Sequence, residues 1–190
     1  MNTKGYSFAD LCRMVGKDPF YVQSLQRHLG LYVAPKDAGY SQSYLIFLEK
    51  IVSLKAFHVP QDHIRELFEM EKKILCLLHV DSLSRSPSWY LDACDGSDDD
   101  EAPADRLWLT GHRLGFPMDA PAVQHALDFG ERDAELFKGK EMGEDIGRVL
   151  NKYLHLLRGM KDHLAKEKPV IENALYWTRR FLKQIENTPK

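Results

Sequence analysis

Two short, punctuated amphipathic stretches near the start, SFADLCRMVG and DPFYVQSLQRHLG, most narrow what this chain can fold into. Ser7 followed by Asp10 is a variant capping box, and Phe8, Leu11, Cys12 and Val15 share one helical face before Gly16 stops the helix. Asp18 is a good N-cap, Pro19 suits the first helical turn, and Gly30 suits a helix stop. Val22, Leu25 and Leu29 then point inward. Two short helices joined by Gly16-Lys17-Asp18 have the spacing of a helix-turn-helix.

The rest of the chain reads as further helices around a linker. The segment from Leu31 to Ser41 holds Pro35, Asp37 and Gly39 between apolar ends, which predicts a short β-hairpin or wing. Ser41 caps a helix with a broad apolar stripe through Tyr44, Leu45, Leu48, Ile51, Val52 and Leu54. Val59-Pro60 breaks it, and a longer helix follows over residues 61–80. Its inner face is Ile64, Leu67, Phe68, Ile74, Leu75 and Leu78. Glu66, Glu69, Glu71, Lys72 and Lys73 on the same helix form a charge mix suited to a solvated or partner-flanking face. Ser88 to Cys94 fits a strand within the linker, and Asp105 to Phe116 a short strand and turn. Asp119 to Gly130 fits a capped helix, with a strand as the alternative. From Met142 the apolar period is emphatic: Ile146, Val149, Leu150, Tyr153, Leu154, Leu157, Met160 and Leu164. Pro169 breaks or kinks that helix, and Ile171, Ala174, Leu175, Thr178, Phe181, Leu182 and Ile185 continue the pattern.

Charge divides the chain as the pattern does. Residues 1–60 carry seven Lys and Arg against four Asp and Glu, a net +3, whereas 81–105 carry eight acidic side chains against Arg85, a net −7. The expected organisation is therefore a head over 1–80, an acidic linker over 81–105 and a helical C-terminal domain over 106–190. At 190 residues and 44% hydrophobic content the chain can bury a full core. No apolar run approaches the ~18–20 residues needed to span a bilayer, and residues 1–10 lack the apolar region of a signal peptide. Three cysteines, an odd number, suggest reduced thiols and a cytoplasmic protein with no membrane partner.

The ordered pieces YSFADLCRMVGKDPFYV, HLGLYVAP, GYSQSYLIFLEKIVSLKAFHV and PQDHIRELFEME resemble the winged helix-turn-helix head of the MerR family of bacterial transcription regulators. The resemblance covers Tyr6 to Leu78. It implies a mostly α fold: a winged helix-turn-helix with a short β wing, a long helix, then a helical C-terminal domain. It further implies a homodimer paired through residues 61–80, bound to duplex DNA on half-sites about one turn, near 34 Å, apart. The departures lie at the DNA face. Where the family's recognition helix reads Leu-Arg-Tyr-Tyr-Glu, this chain has Val22, Gln23, Ser24, Leu25 and Gln26, and its wing lacks arginine. The residues left for DNA are Arg13, Lys17, Phe20, Tyr21, Gln23, Ser24, Arg27 and Lys36, with Gln23 suited to adenine. A protein-interaction module that keeps the scaffold without the DNA chemistry is the alternative. So is packing of residues 61–80 on the chain's own C-terminal helices, which would leave the dimer contact to 142–187.

Other chemistry finds thinner support. Cys76 and His79 lie three apart on a helix and could join Cys94 around a metal ion, although Cys76 also suits core packing and there is no Cys-x-x-Cys. The run DGSDDDE lacks the ligand alternation of a calcium loop. Trp89, Tyr90, Trp108, Phe116, Phe129, Tyr153, Tyr176 and Trp177 could line a pocket for a small apolar or aromatic effector, or be ordinary core. No nucleophile elbow, phosphate-binding loop or His-Glu-x-x-His points to an enzyme, and no cofactor is expected.

Overall fold

A computed structural model describes residues 5–78, 88–92, 107–112, 140–161, 163–164 and 167–187. Within them lie seven helices: α1 Phe8–Val15, α2 Pro19–Leu29, α3 Gln42–Ala56, α4 Gln61–Leu77, α5 Trp89–Asp92, α6 Lys140–Lys161 and α7 Lys168–Asn187. The fold is mostly α.

Local chemistry accounts for the helix ends. The Ser7 hydroxyl accepts from the Asp10 amide at 3.1 Å while the Asp10 carboxylate accepts from the Ser7 amide at 3.3 Å, a reciprocal capping box. Asp18 caps α2 through the Tyr21 amide at 2.9 Å, and Ser41 caps α3 through the Tyr44 amide at 3.1 Å. Gly16 and Gly30 close α1 and α2 in the left-handed region, at φ 68° and 62°. Pro169 falls in the first turn of α7, so it marks a break between two helices rather than a kink in one.

The predicted wing is a loop. Residues 31–39 form no strand, and the adjacent β pairing is a single antiparallel bridge between Tyr6 and Tyr40, with both backbone hydrogen bonds at 2.8 Å. Phenols take the groups that a hairpin ladder would have paired. Tyr44 donates its hydroxyl to the Tyr32 carbonyl at 2.8 Å, and the Ala34 amide donates to the Tyr40 hydroxyl at 3.2 Å. Gln26, fully buried, donates its amide to the Tyr44 hydroxyl at 3.0 Å.

Beside the bridge, Gly5 and Gly39 approach so closely that a Cβ on Gly39 would lie 2.4 Å from the Gly5 backbone. Gly39→Ala must part the two segments and lose the Tyr6–Tyr40 pair. At about 1 kcal/mol per hydrogen bond, urea titration should read a loss of about 2 kcal/mol.

The long helix α4 is shared between the two halves. It meets α2 and α3 and packs along α6, which in turn packs on α7. Its inner residues Ile64, Leu67, Phe68, Ile74 and Leu75 are all fully buried. The apolar side of α4 is thus packed against the chain's own tail. The apolar periodicity of the tail is seen in Ile146, Leu150, Tyr153, Leu157 and Ile171, all fully buried.

Two short segments, one in the linker and one at the start of the C-terminal part, differ from expectation. Trp89 to Asp92, read as strand, is a helical turn, with Tyr90 edge-on to Phe68 at 5.4 Å and Phe68 stacked obliquely on Phe47 at 5.0 Å. Leu107 to His112 is a tight turn with Gly111 at φ 73°, buried at every position. Residues 113–139, with the predicted helix from Asp119 to Gly130, lie outside the described residues. Among the described residues no helix is long and apolar enough to cross a membrane.

Candidate functional site

The α2 helix divides cleanly by register. Val22, Leu25, Gln26 and Leu29 are buried, and Phe20, Gln23, Ser24 and Arg27, at spacings of three, four and seven, are exposed along the opposite side. Phe20 stands furthest out, at 84% exposure. This stripe holds four of the eight residues proposed from sequence for DNA contact.

The others flank it. Tyr21 is half-buried beside the stripe, and the Lys17 ammonium sits over its ring, 5.6 Å from the centroid. Arg13, in the last turn of α1, pairs with Asp10, whose carboxyl is held below its ordinary range by the Ser7 hydroxyl and, to a lesser degree, by that guanidinium. Part of the charge of Arg13 is therefore already balanced within the fold. Lys36 is exposed at the turn of the 31–39 loop, where the Ala38 amide donates to the Pro35 carbonyl at 3.0 Å. Gln26, which stands at a reading position in the family pattern, is instead a structural ligand for Tyr44. Its place in register with Val22 and Leu29 was the sequence signal for that.

The C-terminal end of α2 joins the start of α4. His28 Nε2 lies 3.5 Å from the Asp62 carboxylate, which also receives Arg65 at 3.4 Å. His63 bonds through Nε2 to the Leu156 carbonyl of α6 at 3.0 Å, which ties the head to the tail.

A second polar centre, missed in the sequence, lies inside the molecule. Glu71 belongs to the charge run read as solvated, yet it is fully buried. Its Oε1 accepts from the Leu109 amide at 2.7 Å and the Tyr153 hydroxyl at 2.9 Å, and its Oε2 from the Thr110 amide at 2.7 Å. The Trp108 amide completes the set by donating to the Tyr153 hydroxyl at 3.0 Å. Burial raises the Glu71 pKa above its ordinary value, and those hydrogen bonds oppose the shift. His112 is 3% exposed; burial lowers its pKa to about 4, and a hydrogen bond with the Trp89 backbone opposes that shift. The signal for Glu71 was its place on the stripe running from Ile64 through Leu67, Phe68, Ile74 and Leu78.

The metal and effector candidates fare differently. Cys76 is on the exposed side of α4 rather than in the core, and His79 and Cys94 lie outside the described residues. Among the described residues no three His, Cys, Asp or Glu side chains gather as a metal site. Of the aromatic set, Tyr90, Trp108, Tyr153 and Trp177 are buried and Tyr176 is exposed, while Phe116 and Phe129 lie outside the described residues.

No protein-family model, curated protein or solved structure matches the chain.

Proposed function

We propose that the protein binds duplex DNA through the exposed stripe of α2 and acts as a cytoplasmic transcription regulator with a winged-helix-like head. The observation that carries this reading is the stripe itself. Phe20, Gln23, Ser24 and Arg27 project from a capped helix whose other side is locked into the core, which is the geometry that major-groove readout requires. Gln23 can pair with adenine and Arg27 with guanine, while Phe20 can meet a thymine methyl. The 31–39 loop takes the place of the wing and brings Lys36. One stripe reads a few base pairs, so a full site calls for a homodimer. That pairing is assigned here to the tail, residues 142–187, the alternative dimer contact, through its exposed side. Effector sensing by the tail stays part of the reading.

A protein-interaction role is the second reading, and one observation favours it. Phe20 at 84%, Val33 at 60% and Met14 at 45% are large apolar side chains left exposed on the head.

Retention of sheared genomic DNA at ~50 mM and ~200 mM salt tests the first reading. Enrichment of fragments sharing an inverted repeat supports it, and absence of retention at both salts refutes it in favour of the second. On an enriched fragment, Arg27→Ala should weaken binding by about tenfold or more, since one base contact is worth ~1–3 kcal/mol.

A further inference from the structure

Between Arg148 and Arg158 the described outward side of α6 carries only cationic and neutral side chains. Arg148, Lys152, His155 and Arg158 are exposed at spacings of four, seven and ten, and no described side chain between them on that side is acidic. Favourable placement of cations near a helix C-terminus accounts for Arg158, and Lys161 is taken by Glu172 at 3.0 Å. Neither explains Lys152, which stands more than two turns before the end.

This stripe adjoins the head. The Leu156 carbonyl holds His63, and a Cβ on Gly159 would lie 3.4 Å from the His63 ring, so the last turns of α6 lie against the start of α4. Asp62, next in sequence, holds His28 at the end of α2 and Arg65 on α4. Through His28, Asp62 and His63 the end of α2, the start of α4 and the last turns of α6 are therefore joined, and Arg27 stands at one end of that junction and Arg158 at the other in sequence. The α2 face itself is poor in cations: Arg27 is the only one on its stripe.

We propose that Lys152, His155 and Arg158 form a track for the DNA phosphate backbone that continues the α2 face, so that the tail supplies backbone-binding charge which the head lacks. The proposal rests on the reading of α2 as a DNA-binding helix. Lys152 and Arg158 are separated by about 9 Å of helix, a span of two to three base-pair rises. Phosphate contacts of this kind position the protein without reading sequence. Arg27 and Gln23 would then specify while α6 holds.

The test is the salt dependence of binding to a random-sequence 24-base-pair duplex, for the full chain and for the double variant Lys152→Gln and Arg158→Gln. Both side chains are exposed, so the thermal midpoint should not move. Loss of two phosphate contacts lowers the slope of log affinity against log salt by ~2 per copy, and affinity at ~50 mM salt by on the order of 100-fold. An unchanged slope with wild-type duplex binding intact overturns the track and leaves the α2 reading standing. A wild-type chain that binds no duplex overturns both. Arg179→Gln on α7, off the track, should leave the slope unchanged; an equal fall there would mean diffuse charge and overturn the proposal. Loss of binding to phosphatidylserine vesicles by the double variant, with duplex binding unaltered, would assign the stripe to a membrane surface and overturn it as well.

Discussion

Glu71→Ala is expected to lower the unfolding free energy by about 3–5 kcal/mol, a larger loss than that expected for Gly39→Ala. The carboxylate is the common acceptor for the Leu109 and Thr110 amides and the Tyr153 hydroxyl, all in a buried setting. Truncation leaves three donors without a partner and without water. An unsatisfied buried donor costs ~1–3 kcal/mol, and relaxation of the 107–112 turn recovers part of the sum. Guanidinium titration should show a lower midpoint at an unchanged slope, with Trp108 emission shifted toward that of exposed indole. Glu71→Gln keeps one acceptor but turns an amide NH2 toward a donor, so its loss should be smaller yet still measurable. A loss below about 1 kcal/mol for the alanine variant would contradict the network.

The second large effect is a loss of stability on mild acidification, traced to His112. Its folded pKa of about 4 lies below the ordinary 6.5. The imidazole is neutral in both states above 6.5. As pH falls from 6.5 toward 4 the unfolded chain takes up the proton first, so the folded state loses stability, and the loss is complete once pH passes below 4. A shift of that size corresponds to about 3 kcal/mol. Glu71 acts with the opposite sign. Its pKa is raised by burial, so its contribution is greatest below its ordinary 4.5 and declines as pH rises through the raised value. Comparing the full chain with His112→Leu separates the two. Between pH 7 and pH 4 the stability difference should close by about 3 kcal/mol in favour of the variant. Parallel pH profiles would show that His112 reaches water.

Much of the fold was legible because helices advertise themselves by register. Ile146, Leu150, Tyr153 and Leu157 recur at the helical period and are buried. Ser7, Asp18 and Ser41 cap the helices they were expected to cap. What register could not convey was pairing between distant polar groups. Glu71 stands in line with Phe68 and Leu75, but a carboxylate between Glu69 and Lys72 reads as solvated until the amides of residues 109 and 110 are known to meet it. The loop over 31–39 was misread for the same reason, since nothing in its own residues shows that phenols from Tyr40 and Tyr44 will hold its backbone. The exposed stripe of α2 was readable, as complement to Val22, Leu25 and Leu29. The α6 stripe escaped notice because its cations are scattered among apolar residues and gain meaning only beside His63 and Gly159.

The phenol-held loop has a consequence for how this surface can vary. A hairpin ties each residue to one opposite it, so a change of length or of in-and-out alternation spoils the whole ribbon. Here the anchors are Tyr40, at the loop's far end, and Tyr44, in the helix after it; they grip Ala34 and Tyr32 from outside. Positions 35–38 hang between Ala34 and Tyr40 like the bow of a handle. Residues can be exchanged or added there without disturbing what holds the ends, so the charge that Lys36 carries at the tip can change while the head's fold stays as it is.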